Sequence, residues 1–145
     1  METVTTADGL ALRLRHWPGT ARGSGARGRV LVVHGLGEHS GRYDALAQAL
    51  NDAGFAVSAY DQRGHGRSPG PRGGIPAADS LCADLAAVID AVQGLDGAAP
   101  LLLGHSMGGL VAARFVAESL VVRPAAWARP VPRLVLSSPA LDPGM

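Results

Sequence analysis

The chain has 145 residues, 47% of them hydrophobic and 17% charged, which suits one compact globular domain over 1–145 and not a disordered chain. A formal net charge of +1, with no run of five basic residues, argues against nucleic acid or an anionic membrane surface as partner. All 13 basic residues are arginine, a bias that beside 20 glycines reads as coding composition.

Cys82 is the only cysteine, so no intramolecular disulfide can form and no Cys-based zinc site is expected. Its neighbours Leu81 and Leu85 and the acidic Asp84 mark it as buried filler and not an activated thiol. The start Met1-Glu2-Thr3-Val4 lacks the basic and apolar regions of a signal peptide, and no run reaches the length of a membrane span. A cytoplasmic location is expected, with neither metal nor organic cofactor.

In chain order, Val4-Thr5-Thr6 and Leu10 to Trp17 read as two strands joined at Ala7-Asp8-Gly9, with Leu10, Leu12 and Leu14 on one buried face. Pro18 to Gly28 has no periodicity and reads as a surface loop. Val30-Leu31-Val32-Val33 is a continuous β-branched run, as in a parallel strand covered on both faces. Tyr43, Leu46, Ala47 and Leu50 recur at helical spacing, with Gly54 as a C-terminal cap. Phe55 to Tyr60 forms another strand. Leu81, Leu85, Val88, Ile89 and Val92 mark a second helix that Gly94 can end. A strand at Leu101-Leu102-Leu103, a helix from about Gly108 to Leu120 and a last strand at Leu134-Val135-Leu136 complete the chain. Strands alternating with helices predict an α/β fold: a mostly parallel sheet with helices on both faces and an N-terminal antiparallel hairpin.

In such sheets functional groups gather at the carboxyl ends of the strands, where His34, Asp61, Ser106 and Ser137 all stand. Gly104-His105-Ser106-Met107-Gly108 reads G-x-S-x-G between a strand and a helix, the context of a nucleophile elbow. Glycines on either side remove the Cβ clashes of a tight turn, so the serine hydroxyl can be lifted clear of the sheet.

Three ordered motifs then resemble the α/β-hydrolase family, and within it the monoacylglycerol lipase and bacterial lysophospholipase branch, also grouped with serine aminopeptidase-like hydrolases. They are His34-Gly35-Leu36-Gly37-Glu38-His39-Ser40-Gly41-Arg42-Tyr43, Tyr60-Asp61-Gln62-Arg63-Gly64-His65-Gly66-Arg67-Ser68, and Gly104-His105-Ser106-Met107-Gly108-Gly109. The resemblance covers nearly all of the chain but only the first part of the family's catalytic domain. It implies Ser106 as nucleophile and the backbone N–H groups of Leu36 and Met107 as oxyanion donors, with His34, Gly35, Gly37, Gly104, His105, Gly108, Asp61 and Arg63 in support.

Each residue also has a plainer reading. Ser106 could be a small residue in a tight turn, and Gly35 and Gly37 a plain loop; the flanking motifs favour the functional reading of both. The 61–68 stretch could be a metal or acid/base cluster, but a structural loop ordered by Asp61 and Arg63 is the better reading. Among the histidines, His34 is expected to hold the oxyanion loop and His105 to support the elbow. His39 and His65 can line the site mouth, and His16 ends a peripheral strand. None occupies the family's base position, which the resemblance places beyond Met145 together with the acid, and Asp142 is no confident stand-in.

The expectation is a serine ester hydrolase acting on monoacylglycerol or lysophospholipid through an acyl-enzyme on Ser106. The 145-residue chain by itself reads as C-terminally truncated and inactive, supported by its ending in Pro143-Gly144-Met145, and its last strand as an apolar edge open to self-association. A small acyl ester or lysolipid is the expected partner, with at most transient membrane contact. Two alternatives stand: a peptidase of the aminopeptidase-like branch, and a catalytically dead binding module.

Overall fold

The computed structural model describes residues 1–19 and 27–142. Most of the loop expected over Pro18 to Gly28, and the terminal Pro143-Gly144-Met145, lie outside the described residues.

Six strands form one sheet: β1 (Glu2–Thr5), β2 (Ala11–Trp17), β3 (Arg29–Val33), β4 (Ala56–Tyr60), β5 (Leu101–His105) and β6 (Leu134–Ser137), in the order β1-β2-β4-β3-β5-β6. The first two run antiparallel, joined through Thr6 to Leu10, where the Thr6 N–H donates to the Leu10 carbonyl. β2 pairs antiparallel with β4, and the remaining neighbours are parallel, with Val30 opposite Val57 on one side and Leu101 on the other. The expected hairpin and parallel sheet are therefore both present.

Three helices cover the sheet: α1 (Asp44–Asp52) on one face, α2 (Ser80–Asp96) and α3 (Met107–Ser119) on the other. Side chains alternate across each strand, so Leu31, Val33 and Leu102 join Leu85, Ile89 and Phe115 in the larger core, while Val30, Val32 and Val57 pack with Ala47 in the smaller one. Both faces of β3 and β4 are buried, which is why their sequences carry no polar alternation.

Two expectations need correction. α2 runs through Gly94 and ends at Gly97, whose φ of 72° supplies the left-handed cap and whose N–H donates to the Gln93 carbonyl. Gly94 is tolerated mid-helix because nothing crowds it. α1 is preceded by a 3-10 turn, Ser40–Tyr43, and buries Ala47, while Leu46 is exposed. α3 begins at Met107, within a residue of the expected start, because Ser106 itself is the turn. β6 lies at the edge of the sheet, with Val135 and Leu136 exposed.

Candidate active site

Ser106 sits between β5 and α3 with φ 53° and ψ −119°, a conformation a non-glycine residue holds only when its surroundings impose it. Here they do. The Ser106 N–H donates to the Ser137 carbonyl at 3.0 Å, and its carbonyl accepts from the N–H groups of Gly109 at 2.9 Å and Ala140 at 3.0 Å. The 137–140 segment thus straddles the turn from both sides.

The flanking glycines are required by close approach. A Cβ on Gly104 would lie 2.5 Å from the Gly108 carbonyl oxygen, and one on Gly108 only 2.0 Å from the Val33 carbonyl oxygen. α3 therefore starts hard against both β5 and β3. Met107, its first residue, presents an N–H without an intrahelical acceptor at the positive end of the helix, the place where a developing negative charge is stabilised.

The loop after β3 reaches this turn. Gly35 packs against it so closely that an added Cβ would meet the Ser106 Cβ at 3.2 Å, which brings the Leu36 backbone to the same rim while its side chain is exposed. Two buried clamps fix the loop. The His34 ring donates from Nδ1 to the Gly35 carbonyl at 2.7 Å and accepts at Nε2 from the Gln62 N–H at 3.0 Å, a pattern that only the neutral Nδ1–H tautomer satisfies. Burial accordingly pushes the His34 pKa down. The Gln62 side chain adds a bond from Nε2 to the His34 carbonyl at 2.6 Å.

The second clamp is Asp61, 2% exposed, whose Oδ1 accepts from the Ser40 N–H and hydroxyl and whose Oδ2 accepts from the Arg67 N–H. Burial opposes the charge, but the bonds from Arg67 and Ser40 outweigh it and hold the carboxyl below the usual carboxylate range. Gly66 completes the fit, since a Cβ there would run into the Asp61 carboxylate.

The Arg63 guanidinium bridges Asp84 on α2 and Asp8 in the hairpin turn, two bonds to each, and so ties the 61–68 loop to both. His105 turns to β6, with Nδ1 at 3.1 Å from both the Ser137 carbonyl and hydroxyl oxygens. His16 is engaged by Ser58 and Glu2. Cys82 is buried, its thiol pushed up to about 11 by that burial.

Among the described residues, then, no side chain is hydrogen-bonded to the Ser106 hydroxyl, and no histidine pairs with it. Nor is there a group of three metal-ligating side chains, or a helix long and apolar enough to cross a membrane. Ser40, Gln62 and Ala140 also hold the site. The first two lie inside the motifs after β3 and β4, but their partners are set by contacts 21 and 28 residues apart that no local pattern reveals.

Comparison with known proteins agrees with this geometry. Residues 24–145 match the family described as serine aminopeptidase, S33. Human monoglyceride lipase is 38% identical over 116 residues, 79% of this chain but 37% of that protein. The crystal structure of the Paleococcus ferrophilus monoacylglycerol lipase superposes with a TM-score of 0.70 at 38% identity, over 90% of this chain and 44% of the other. A thermostable carboxyl esterase from Bacillus coagulans superposes at 0.74 with 28% identity, over 92% of this chain and 42% of that one. The chain thus spans less than half the length of each, and it carries the part of the fold in which strand, elbow and helix meet: it belongs to the serine aminopeptidase S33 family of α/β-hydrolases.

Proposed function

We propose that the chain carries the nucleophile and oxyanion site of a serine hydrolase that cleaves acyl esters of lipids, of monoacylglycerol or lysophospholipid type. The observation that carries the proposal is the imposed left-handed conformation of Ser106 at the start of α3, with the Gly35–Leu36 backbone packed against it. Lipases and esterases among the relatives support ester over amide chemistry.

In this mechanism Ser106 Oγ attacks the ester carbonyl carbon while a base takes its proton. The carbonyl π pair moves onto oxygen, where the Met107 and Leu36 N–H groups receive it more strongly than they receive the ground-state carbonyl. Collapse of the tetrahedral species expels the alcohol, which leaves with the proton returned by the base, and water then releases the acyl group from Ser106 by the same steps. The family resemblance implies a histidine oriented by a carboxylate as the base, outside the residues described. His34 is unsuited to the task, because both its ring nitrogens are committed to the loop.

A fluorophosphonate probe tests the nucleophile directly. Labelling of the folded chain at Ser106, abolished in Ser106→Ala, supports the proposal; a folded chain that stays unlabelled even when supplemented with the complementary part of a relative would overturn it and favour a binding module.

A further inference from the structure

At the other end of the sheet lies a cleft of about 290 Å³ that the ester chemistry leaves unassigned. It is formed where β3, β5 and β6 begin, by Arg27, Arg29, Leu101 and Arg133, with Phe55 at the entry to β4. The three strands run parallel, so their first residues sit at the edge opposite the one that carries Ser106. The length of β5 separates Leu101 from Ser106, about 16 Å at about 3.3 Å per residue.

Its charge is set by arginine. Every charged residue of the lining is an arginine, and no acid is among them. Arg29 is neutralised: its Nε and Nη2 donate to the two carboxylate oxygens of Asp96 at 2.5 and 3.1 Å, and its Nη1 to the Ser58 hydroxyl at 2.9 Å. Arg27 and Arg133 are not, since none of the ion pairs among the described residues involves either. Between Gly19 and Arg27 the sequence adds Arg22 and no acid.

Arg27 is held in place. Its backbone N–H donates to the Gly54 carbonyl at 3.1 Å, its stem packs against Gly54, and its guanidinium sits 5.4 Å from the Phe55 ring centroid with Nη1 donating to the Ala53 carbonyl at 3.2 Å. One of its five N–H groups is spent there, and the Arg133 guanidinium spends none among the described residues. The rest of the wall is apolar, from Phe55, Ala99, Leu101 and Pro132. Two guanidinium groups without a counter-ion beside an apolar wall suit a carboxylate with a short hydrocarbon body: the planar forks match its two oxygens, and the body covers the wall. A phosphate ion would set further charged oxygens, unpaired, against that wall.

We propose that this cleft binds a small monocarboxylate with an apolar body, its carboxylate held by Arg27 and Arg133, as a site separate from the elbow. The inference goes beyond the ester-hydrolase reading and stands without it, because Ser106 takes no part in the binding. A bound carboxylate ties together the segments that lead into β3 and β6, so it should stabilise the fold.

The test is calorimetric titration of the full chain with hexanoate, hexan-1-ol and inorganic phosphate at fixed ionic strength, paired with thermal melts. Hexanoate should bind and raise Tm, hexan-1-ol should not bind at the same concentrations, and phosphate should bind more weakly than hexanoate. Arg27→Gln and Arg133→Gln should each weaken hexanoate about tenfold, the loss of one charge-assisted hydrogen bond. Arg133 is exposed and its guanidinium braces no other described residue, so that variant keeps the test decisive if Arg27→Gln unfolds. Arg123→Gln, which removes an exposed arginine outside the cleft, should leave hexanoate binding unchanged. Absence of hexanoate binding, equal binding of hexan-1-ol, phosphate binding as tightly as hexanoate, or undiminished affinity in the Arg133 variant would overturn the assignment. A chain that binds hexanoate in this way and stays unlabelled by fluorophosphonate would lose only the ester reading.

Discussion

Replacing Ser106 by glycine should make the protein more stable than replacing it by alanine, although alanine keeps more of the native side chain. Both variants lose the hydroxyl, so they differ only at Cβ. At φ 53° and ψ −119° that Cβ is held in a region open essentially to glycine, at a cost of about 1–3 kcal/mol. Glycine removes the strain but gives the unfolded chain more freedom, which returns about 0.4–1 kcal/mol. The net gain is about 1 kcal/mol, or about 3 °C in Tm for a domain of this size. Thermal melts of Ser106→Ala and Ser106→Gly, followed by circular dichroism under identical conditions, read the difference directly. A glycine variant that melts below the alanine variant would refute the argument that the fold stores strain at this turn. The comparison also isolates the energetic tension between stability and an exposed nucleophile, since the strain lifts the hydroxyl into the site.

The remaining predictions bear on what holds the site. Gly108→Ala should cost about 3 kcal/mol or more, because the new Cβ meets an immovable Val33 carbonyl, whereas Gly94→Ala, in open space within α2, should stabilise by about 0.5–1 kcal/mol; chemical denaturation of the two variants checks both signs. Asp61→Asn should cost about 2–4 kcal/mol at pH 7, since an amide offers one acceptor oxygen where the carboxylate uses both. The folded Asp61 carboxyl titrates below its unfolded value of about 3.9, so its contribution is present above that pH and is lost as pH falls through the folded value. Melts between pH 7 and pH 2 should therefore fall less steeply for Asp61→Asn, retaining the slope due to Asp8, which Arg63 holds at about 2; identical slopes would contradict the clamp. Cys82 should resist a thiol reagent at pH 8 in the folded chain and react at once in denaturant, and rapid modification of the native protein would show that α2 does not bury it.

Much of this protein was legible without coordinates. Val30 to Val33 shows its double burial in an unbroken apolar run and Ala56 to Tyr60 in a run interrupted only by Ser58, and the hairpin shows in the alternation of Leu12 and Leu14, because strand periodicity and the polarity of the surroundings are local matters. The elbow was legible too, since G-x-S-x-G between strand and helix encodes a steric demand of the turn itself. Local signals failed where two glycines competed. Gly94 and Gly97 both follow the apolar stripe of α2, and only the chain's course into β5 selects the later one as the cap.

What only the tertiary structure decided is how the motifs grip one another. That Asp61 closes on Ser40, that Gln62 locks His34, and that Arg63 joins Asp8 and Asp84 are all pairings between distant segments, fixed by strand order and helix placement. The same holds for Arg72, whose guanidinium is anchored once the carbonyls of Gly66, Ser68 and Gly70 gather around it. Sequence determines the identity and spacing of chemical groups along the chain; their partners depend on which surfaces the packed sheet brings within hydrogen-bonding distance, and that is a property of the whole fold.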